Sequence, residues 1–168
     1  GYTANPAAQA LAAGRSGSIG VCGSLRDLWQ QELTVRVAGR LRAAGFSSAI
    51  ADADADPEQE RDLVQRMAAA HVDGVVALVT DPSAQWWRDL PASFVVVSVG
   101  DVLAHRAGAS SVVFDNVHGV RTALEHLAGL GHRRIGLLTT TLPSTPGRPA
   151  ETLAQAFAAD HGLDLSVV

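Results

Sequence analysis

The feature that most constrains the fold is a strand–helix–strand pattern over residues 113–136. An apolar run ends in the polar pair Asp115-Asn116, and apolar residues then recur at helical spacing over Val117–Leu130. Asp115 or Asn116 can cap the start of this helix, and Gly131 fits the left-handed residue that follows its end. A second apolar run comes directly afterwards. The segment therefore predicts one unit of a parallel α/β sheet.

The same alternation extends over most of the chain. Six apolar runs are predicted as strands: Ile19–Cys22, Ser47–Ala51, Gly74–Val79, Phe94–Val99, Ser111–Phe114 and Ile135–Thr139. Four segments have helical periodicity: Leu28–Ala44, Pro57–Ala70, Ser83–Asp89 and Val117–Leu130. No helix is predicted between Gly100 and Ser110, so an irregular crossover is expected there. Apolar strands separated by amphipathic helices predict an α/β fold, in which a parallel sheet carries helices on both faces.

Both ends of the chain depart from this pattern. Asn5–Gly14 favours a short helix, and Arg15–Ser18 is typical of a linker. Thr140–Pro149 is rich in Thr, Pro, Ser and Gly, which predicts a loop, and a helix is predicted over about Ala150–Ala159. The last strand-like run, Leu163–Val168, has no later strand to pair with. We therefore expect a new structural unit to begin at this end of the sequence.

Composition excludes several classes of protein. The 168 residues are 47% hydrophobic, which is enough for one domain with a real core. The formal charge of −4 gives no electrostatic basis for holding a phosphate backbone unaided. No apolar stretch approaches the ~20 residues that span a bilayer, and a signal-peptide pattern is missing. We therefore expect a soluble cytoplasmic protein with no membrane partner, and the single Cys22 excludes an internal disulfide.

Patterns for metal binding are weak. Asp52, Asp54 and Asp56 resemble the start of a calcium loop, but Pro57 occupies the position that needs glycine. A better interpretation makes Asp56 an N-cap with Pro57 at the first helical position and Gln59 completing a capping box. The six histidines show no recognised ligand spacing. No metal site is predicted.

Patterns for catalysis and cofactor binding are equally weak. The run Gly14–Ser18 lacks the closing glycine of a nucleophile elbow and precedes a strand instead of following one. Gly20–Gly23 matches neither the dinucleotide fingerprint nor a phosphate-binding loop. We therefore expect no cofactor, no catalytic residue and no enzymatic activity.

The three tryptophans suggest different roles. Trp29 follows the first strand after a short loop, where open α/β sheets bind ligands, and an exposed indole there can stack on a sugar ring or a base. Alternatively, Trp29 packs in the core or at a subunit contact. Trp86 and Trp87 are adjacent and cannot share one helix face. One of them is expected to pack on the sheet and the other to lie at the surface or an interface.

Several motifs in the expected order resemble the LacI/GalR-type bacterial transcription regulators. The most specific match is the family's "DN…G…A…HL…LGHRRI" segment, which corresponds to residues 115–135. Shorter matches occur elsewhere in the chain. The end of the DNA-binding head and the hinge correspond to Gly1-Tyr2, Asn5, Ala8, Leu11 and Gly14-Arg15. The first sensor strand corresponds to Ser18–Val21, the "DP" element to Asp56–Glu58, and the "VDG" element to Val72–Val76.

The resemblance implies a sensor domain with a periplasmic-binding-protein-like fold, which consists of two lobes. Residues 1–17 would be the end of the DNA-binding head and the hinge, 18–139 the N-terminal lobe, and 140–168 the crossover loop and the start of the second lobe. The helix-turn-helix and most of the second lobe would lie outside this sequence. A sugar or related metabolite would close the lobes of a homodimer and so control operator binding. Operator DNA would be bound only by the full-length protein.

The resemblance also nominates site residues. Leu11 corresponds to the hinge leucine that enters the operator's minor groove, with Arg15 beside it. Phe114 and Arg148 match positions that contact the effector in relatives, and Ser144 lies in the same loop as Arg148. Trp29 completes the ligand-binding set. The sequence departs from the family at the loop after the first strand, which is one residue short, and after Arg148.

Two other functions remain open at this point. One is a transport-type sugar-binding protein of the same fold, against which the hinge-like segment Asn5–Arg15 and the missing export signal argue. The other is an enzyme with a flavodoxin-like sheet, although no set of residues nominates a reaction.

Overall fold

A computed structural model of the chain describes residues 15–138 and 149–168. These form two compact units, the first ending at Val113 and the second running from Phe114 to Val168. The first unit contains, in order, β1 (Ser18–Gly23), α1 (Leu28–Ala43), β2 (Ser47–Asp52), α2 (Pro57–Ala69), β3 (Gly74–Leu78), a short 3-10 helix (Gln85–Asp89), β4 (Val95–Gly100) and β5 (Ser110–Val113). The predicted helix Asn5–Gly14 and nearly all of the predicted loop Thr140–Pro149 lie outside the described residues.

The five strands of the first unit form one sheet in the order β2-β1-β3-β4-β5, and every pair is parallel. Val21 of the central β1 lies opposite Ile50 on one side and Val76 on the other. The chain fills one side of β1 first and then crosses to the other side. The predicted parallel α/β sheet is confirmed, and the order of the strands reverses between β1 and β3.

Successive residues of each strand point to opposite faces, so the sheet forms two apolar cores. On one face, residues of α2 and the 3-10 helix pack against Cys22, Val75 and Val96 of the strands. On the other face, α1 packs Leu33, Val37 and Leu41 against Val21, Leu78 and Val99. The predicted arrangement with helices on both faces is therefore confirmed.

The adjacent tryptophans fit only part of their prediction. Trp87 is fully buried in the core beneath the sheet, as expected for one of the pair. Trp86 is not left at the surface, because it is partly buried against the same cluster and stacks on Trp87 with ring centroids 3.9 Å apart.

Aspartates cap the first turns of α1 and α2. Asp27 accepts a hydrogen bond from the backbone N–H of Gln30 (2.9 Å), and Asp56 accepts one from Glu58 (2.9 Å). The predicted cap and first-turn proline of α2 are thus confirmed. The predicted capping box is wrong, because the Gln59 amide donates instead to the carbonyl of Asp52 (2.7 Å) at the end of β2.

The connection from β4 to β5 is irregular, as predicted. Arg106 holds it in place by donating hydrogen bonds, each 2.7 Å long, to the carbonyls of Leu90, Pro91 and Phe94. The guanidinium presents several donors in a fixed fork, which suits a cluster of carbonyl acceptors. Hydrogen bonds from one side chain thus stabilise this crossover, whereas helices form the other crossovers of the sheet.

The second unit contains α3 (Asn116–Gly129), β6 (Arg134–Leu137), α4 (Pro149–His161) and β7 (Asp164–Val167). Asp115, not Asn116, caps α3 by accepting from the N–H of His118 (3.0 Å). β6 and β7 are parallel, and α3 and α4 pack together around a core of Leu124, Ile135, Ala154 and Phe157.

The last strand pairs in a way that the sequence did not predict, and one prediction for this region is wrong. The last strand has a partner, because α4 returns the chain so that Asp164 lies opposite Arg134 and Val167 opposite Leu137. The two strands that flank α3 belong to different sheets, β5 to the five-stranded sheet and β6 to the pair β6-β7. The compact units divide after Val113, and the assignment of residues 18–139 to one lobe stays a prediction.

Candidate functional site

The carboxyl ends of the five parallel strands meet at one edge of the first unit's sheet. Open α/β sheets bind ligands outside this edge, at the point where the strand order reverses. That point lies between β1, which ends at Gly23, and β3, which ends at Leu78. The loops that follow these two strands therefore form the candidate site.

The loop after β1 is held by side chains from α1 and β2. The backbone N–H of Ser24, a buried residue, donates to the side-chain oxygen of Gln30 (2.8 Å), and that of Leu25 donates to Asp52 (3.0 Å). Hydrogen bonds from the backbone of Leu25 and Asp54 lower the pKa of Asp52, so its carboxylate stays ionised at neutral pH. Gln30 and Asp52 thus hold the loop after β1 in place.

Trp29 lies in the first turn of α1, directly after this loop, and 48% of its surface is exposed. A core role for this indole is therefore excluded. Stacking on a ligand and packing at a subunit contact are both compatible with this position. Its assignment to the ligand site stays a prediction.

The loop after β3 is held by a buried carboxylate that the sequence analysis missed. Glu60 on α2 is 0% exposed and accepts hydrogen bonds from the backbone N–H of Thr80 (2.9 Å) and Asp81 (3.4 Å). Burial raises the pKa of Glu60 to about 7, although these two hydrogen bonds act in the opposite direction. The spacing of Glu60 from Val64 and Met67 is the signal that could have found it, since all three share the buried stripe of α2.

The other predicted site residues fall elsewhere. Phe114 follows β5 directly in the chain as the first residue of the second unit, and it is 51% exposed. Ser144, Arg148 and Leu11 lie outside the described residues. Their predicted contacts with an effector or with DNA stay predictions.

Arg15 lies at the opposite, amino-terminal edge of the sheet. Its guanidinium is 3.9 Å from the carboxylate of Asp73, which also accepts hydrogen bonds from the backbone N–H of Ser16 (2.6 Å) and Gly17 (3.0 Å). Partial burial works to raise the pKa of Asp73, but these hydrogen bonds outweigh it and lower the pKa. The aspartate of the "VDG" motif thus holds the segment that leads into β1.

Within the described residues there is neither a cluster of possible metal ligands nor a membrane-spanning helix. Nowhere in ranges 15–138 and 149–168 do three possible ligands among His, Cys, Asp and Glu come together. Burial raises the pKa of the Cys22 thiol to about 12, so it is not a nucleophile at neutral pH. Over the same ranges, none of the helices combines the length and apolar character needed to cross a bilayer.

Comparison with known proteins gives consistent matches, although no family model matches the chain. The HTH-type transcriptional regulator PtxS of Pseudomonas plecoglossicida is 29% identical over 155 residues, which are 92% of this chain and 45% of the relative. A protein from Burkholderia thailandensis, assigned as a ribose operon repressor, superposes with a TM-score of 0.78 at 26% identity, covering 92% of this chain and 60% of that one.

A LacI family transcriptional regulator from Lactobacillus casei, solved with bound sucrose, has the same fold, with a TM-score of 0.71 at 24% identity over 89% of this chain and 55% of that one. The chain spans about half the length of the relatives it matches. Regulators of this type are not enzymes. The motifs, the strand order and these matches together show that the chain contains part of a ligand-binding domain with the periplasmic-binding-protein-like fold found in LacI-family transcriptional regulators.

Proposed function

We propose that this chain senses a sugar for a transcription regulator, with the sugar bound at the carboxyl ends of β1 and β3. The observation that carries the proposal is the reversal of strand order at this edge, where both loops are held by side chains and Trp29 stands half-exposed. The sucrose bound by the Lactobacillus casei neighbour supports a sugar as the ligand class.

The proposed mechanism is a shift of a conformational equilibrium. A sugar that binds one conformation more tightly than another changes the populations of both, and these differ in their affinity for operator DNA. The named relatives are transcription regulators, which favours this role over sugar transport. Because operator DNA lies in the bacterial cytoplasm, the role implies a cytoplasmic protein.

The division of the chain is also part of the proposal. We assign the first unit, from β1 to Val113, to the N-terminal lobe of the sensor. The second unit, from Phe114 onward, would be the start of the second lobe. The segment before β1 would be the hinge and linker to the DNA-binding head, with Leu11 and Arg15 as its DNA contacts.

Replacement of Trp29 by alanine is expected to weaken sugar binding by roughly 5–30-fold. An indole that stacks on a sugar face buries apolar area worth about 1–2 kcal/mol, and 1.4 kcal/mol corresponds to a tenfold change in affinity. An NMR titration with D-ribose, glucose and sucrose measures this directly.

Trp29→Phe retains an aromatic face and should keep most of the affinity. Val35→Ala, at another exposed apolar position on α1, should leave the affinity unchanged. Equal affinities for wild-type protein and Trp29→Ala would remove Trp29 from the site, and the absence of binding by all three sugars would contradict the proposed ligand class.

We also propose that a second copy of this chain packs against α1 and β2. The side chains of α1 that face the sheet leave an apolar depression of about 460 Å³ at their outer edge, which Leu41, Ala44 and Phe46 help to line. β2 is the edge strand beside it, and Ile50 on this strand is exposed. Exposed, contiguous apolar surface of this kind is typical of interfaces.

Ala44→Asp is expected to weaken self-association by about tenfold or more, because the second copy would have to remove water from the new carboxylate when it covers the depression. Sedimentation equilibrium measures the association constant. Ala43→Asp is the matched control, since Ala43 is also exposed at the end of α1 but does not line the depression. A wild-type chain that stays monomeric at high concentration, or equal effects of the two substitutions, would contradict this interface.

A further inference from the structure

Glu60 is an ionisable group in the core that none of the proposed ligand contacts uses. Its carboxylate lies beneath the end of β3 and accepts hydrogen bonds from two successive backbone amides, those of Thr80 and Asp81. The ion pairs among the described residues include none that involves Glu60. A buried carboxylate without a cationic partner is costly, which calls for a role other than simple packing.

The segment that Glu60 holds carries the other contacts of this loop. The carbonyl of Asp81 accepts from the indole N–H of Trp87 (3.0 Å), and the Asp81 carboxylate accepts from the backbone N–H and the hydroxyl of Ser83 (2.9 and 2.6 Å). The carbonyl of Pro82 accepts from the N–H of Ala104 (2.9 Å). The position of the whole loop thus depends on where the Thr80–Asp81 backbone lies.

The groups around Glu60 do not favour its charge. Cys22 on β1 faces it as a neutral thiol. The carboxylate of Asp81, after β3, repels the charge on Glu60. Only the two backbone N–H groups, with the Thr80 hydroxyl, stabilise the ionised form, so the protonated and ionised forms are close in free energy near neutral pH.

We propose that Glu60 is a positioning residue whose ionised carboxylate fixes the backbone of Thr80 and Asp81 at the candidate ligand site and releases it on protonation. The ligand-facing part of this inference rests on the proposed function, because the loop matters to a sugar only if the sugar binds at this edge. The positioning itself does not depend on a ligand.

Hydrogen-bond chemistry explains the release. An ionised carboxylate has two acceptor oxygens, one for each of the two amides. When Glu60 is protonated, one oxygen becomes a hydroxyl, which is a poorer acceptor and carries a donor of its own. One of the two backbone N–H groups then loses its partner in a buried site, and the loop opens more easily.

Amide hydrogen exchange followed by NMR tests this on the chain without any sugar. In the wild-type protein, the protection of the Thr80 and Asp81 amides, corrected for the intrinsic pH dependence of exchange, is expected to fall by about tenfold as the pH decreases from about 8 to about 5.5. The indole N–H signal of Trp87 should shift with the same midpoint, because it is bonded to Asp81.

Glu60→Gln keeps the shape of the side chain but replaces one acceptor with an amide donor. It should give low protection of both amides at every pH and remove the pH-dependent step, while Glu58→Gln, which alters an exposed carboxylate of the same helix, should leave the step intact. The wild-type profile tests the inference even if Glu60→Gln fails to fold. A flat profile in the wild type, or a step that persists in Glu60→Gln, would overturn it, whereas failure of sugar binding would bear only on the proposed function.

Discussion

Replacement of Trp87 by alanine is expected to lower the free energy of unfolding by about 3–5 kcal/mol. Trp87 is fully buried in the larger core of the first unit and has the greatest volume among the fully buried side chains of the described residues. Its removal leaves a cavity, ends the stacking on Trp86 and deletes the hydrogen bond to the Asp81 carbonyl. Urea unfolding followed by circular dichroism measures the change.

Trp87→Phe separates packing from hydrogen bonding. Phenylalanine retains most of the apolar volume but cannot donate to Asp81, so the loss should be smaller, at about 1–2 kcal/mol. If the alanine variant is no less stable than the phenylalanine variant, or if it loses less than about 1 kcal/mol, the cavity argument is wrong.

Substitution of Gly74 by alanine is expected to lower the free energy of unfolding by about 1–3 kcal/mol. A Cβ atom at this position would lie 2.6 Å from the carbonyl oxygen of Val95 and 2.9 Å from the Cβ of the same residue. Val95 is the residue opposite Gly74 in the β3-β4 pair, and its backbone cannot move without disturbing the sheet. The glycine of the "VDG" motif is thus required for close approach of two strands.

Gly39→Ala is the matched control with the opposite sign. Gly39 lies within α1, and a Cβ atom there would meet nothing within 4 Å. Because alanine is the better helix former, this variant should gain about 0.5–1 kcal/mol. Parallel denaturant titrations compare the two, and a loss at position 39 or no loss at position 74 would contradict the steric interpretation.

The sequence predicted that Trp29 follows the first strand, but it did not reveal which side chains hold the loops of the candidate site. Trp29 could be assigned to the end of the first strand because strand, loop and helix follow one another in the chain. Gln30 and Glu60 could not be assigned, because their partners, Ser24 and Thr80, are defined by how the elements pack. A glutamate in a helix predicts a solvated side chain unless the buried face of that helix is known.

The sequence by itself determined the elements whose causes are local. Apolar runs between turn residues predicted β1 and β3, and the pair Asp56-Pro57 predicted the start of α2. Only the tertiary structure decided which strands pair, because backbone hydrogen bonding between strands carries little information about the identity of the partner. It joined β7 to β6, separated β6 from β5, and buried Glu60 beneath the end of β3, since each of these depends on residues that are distant in the chain.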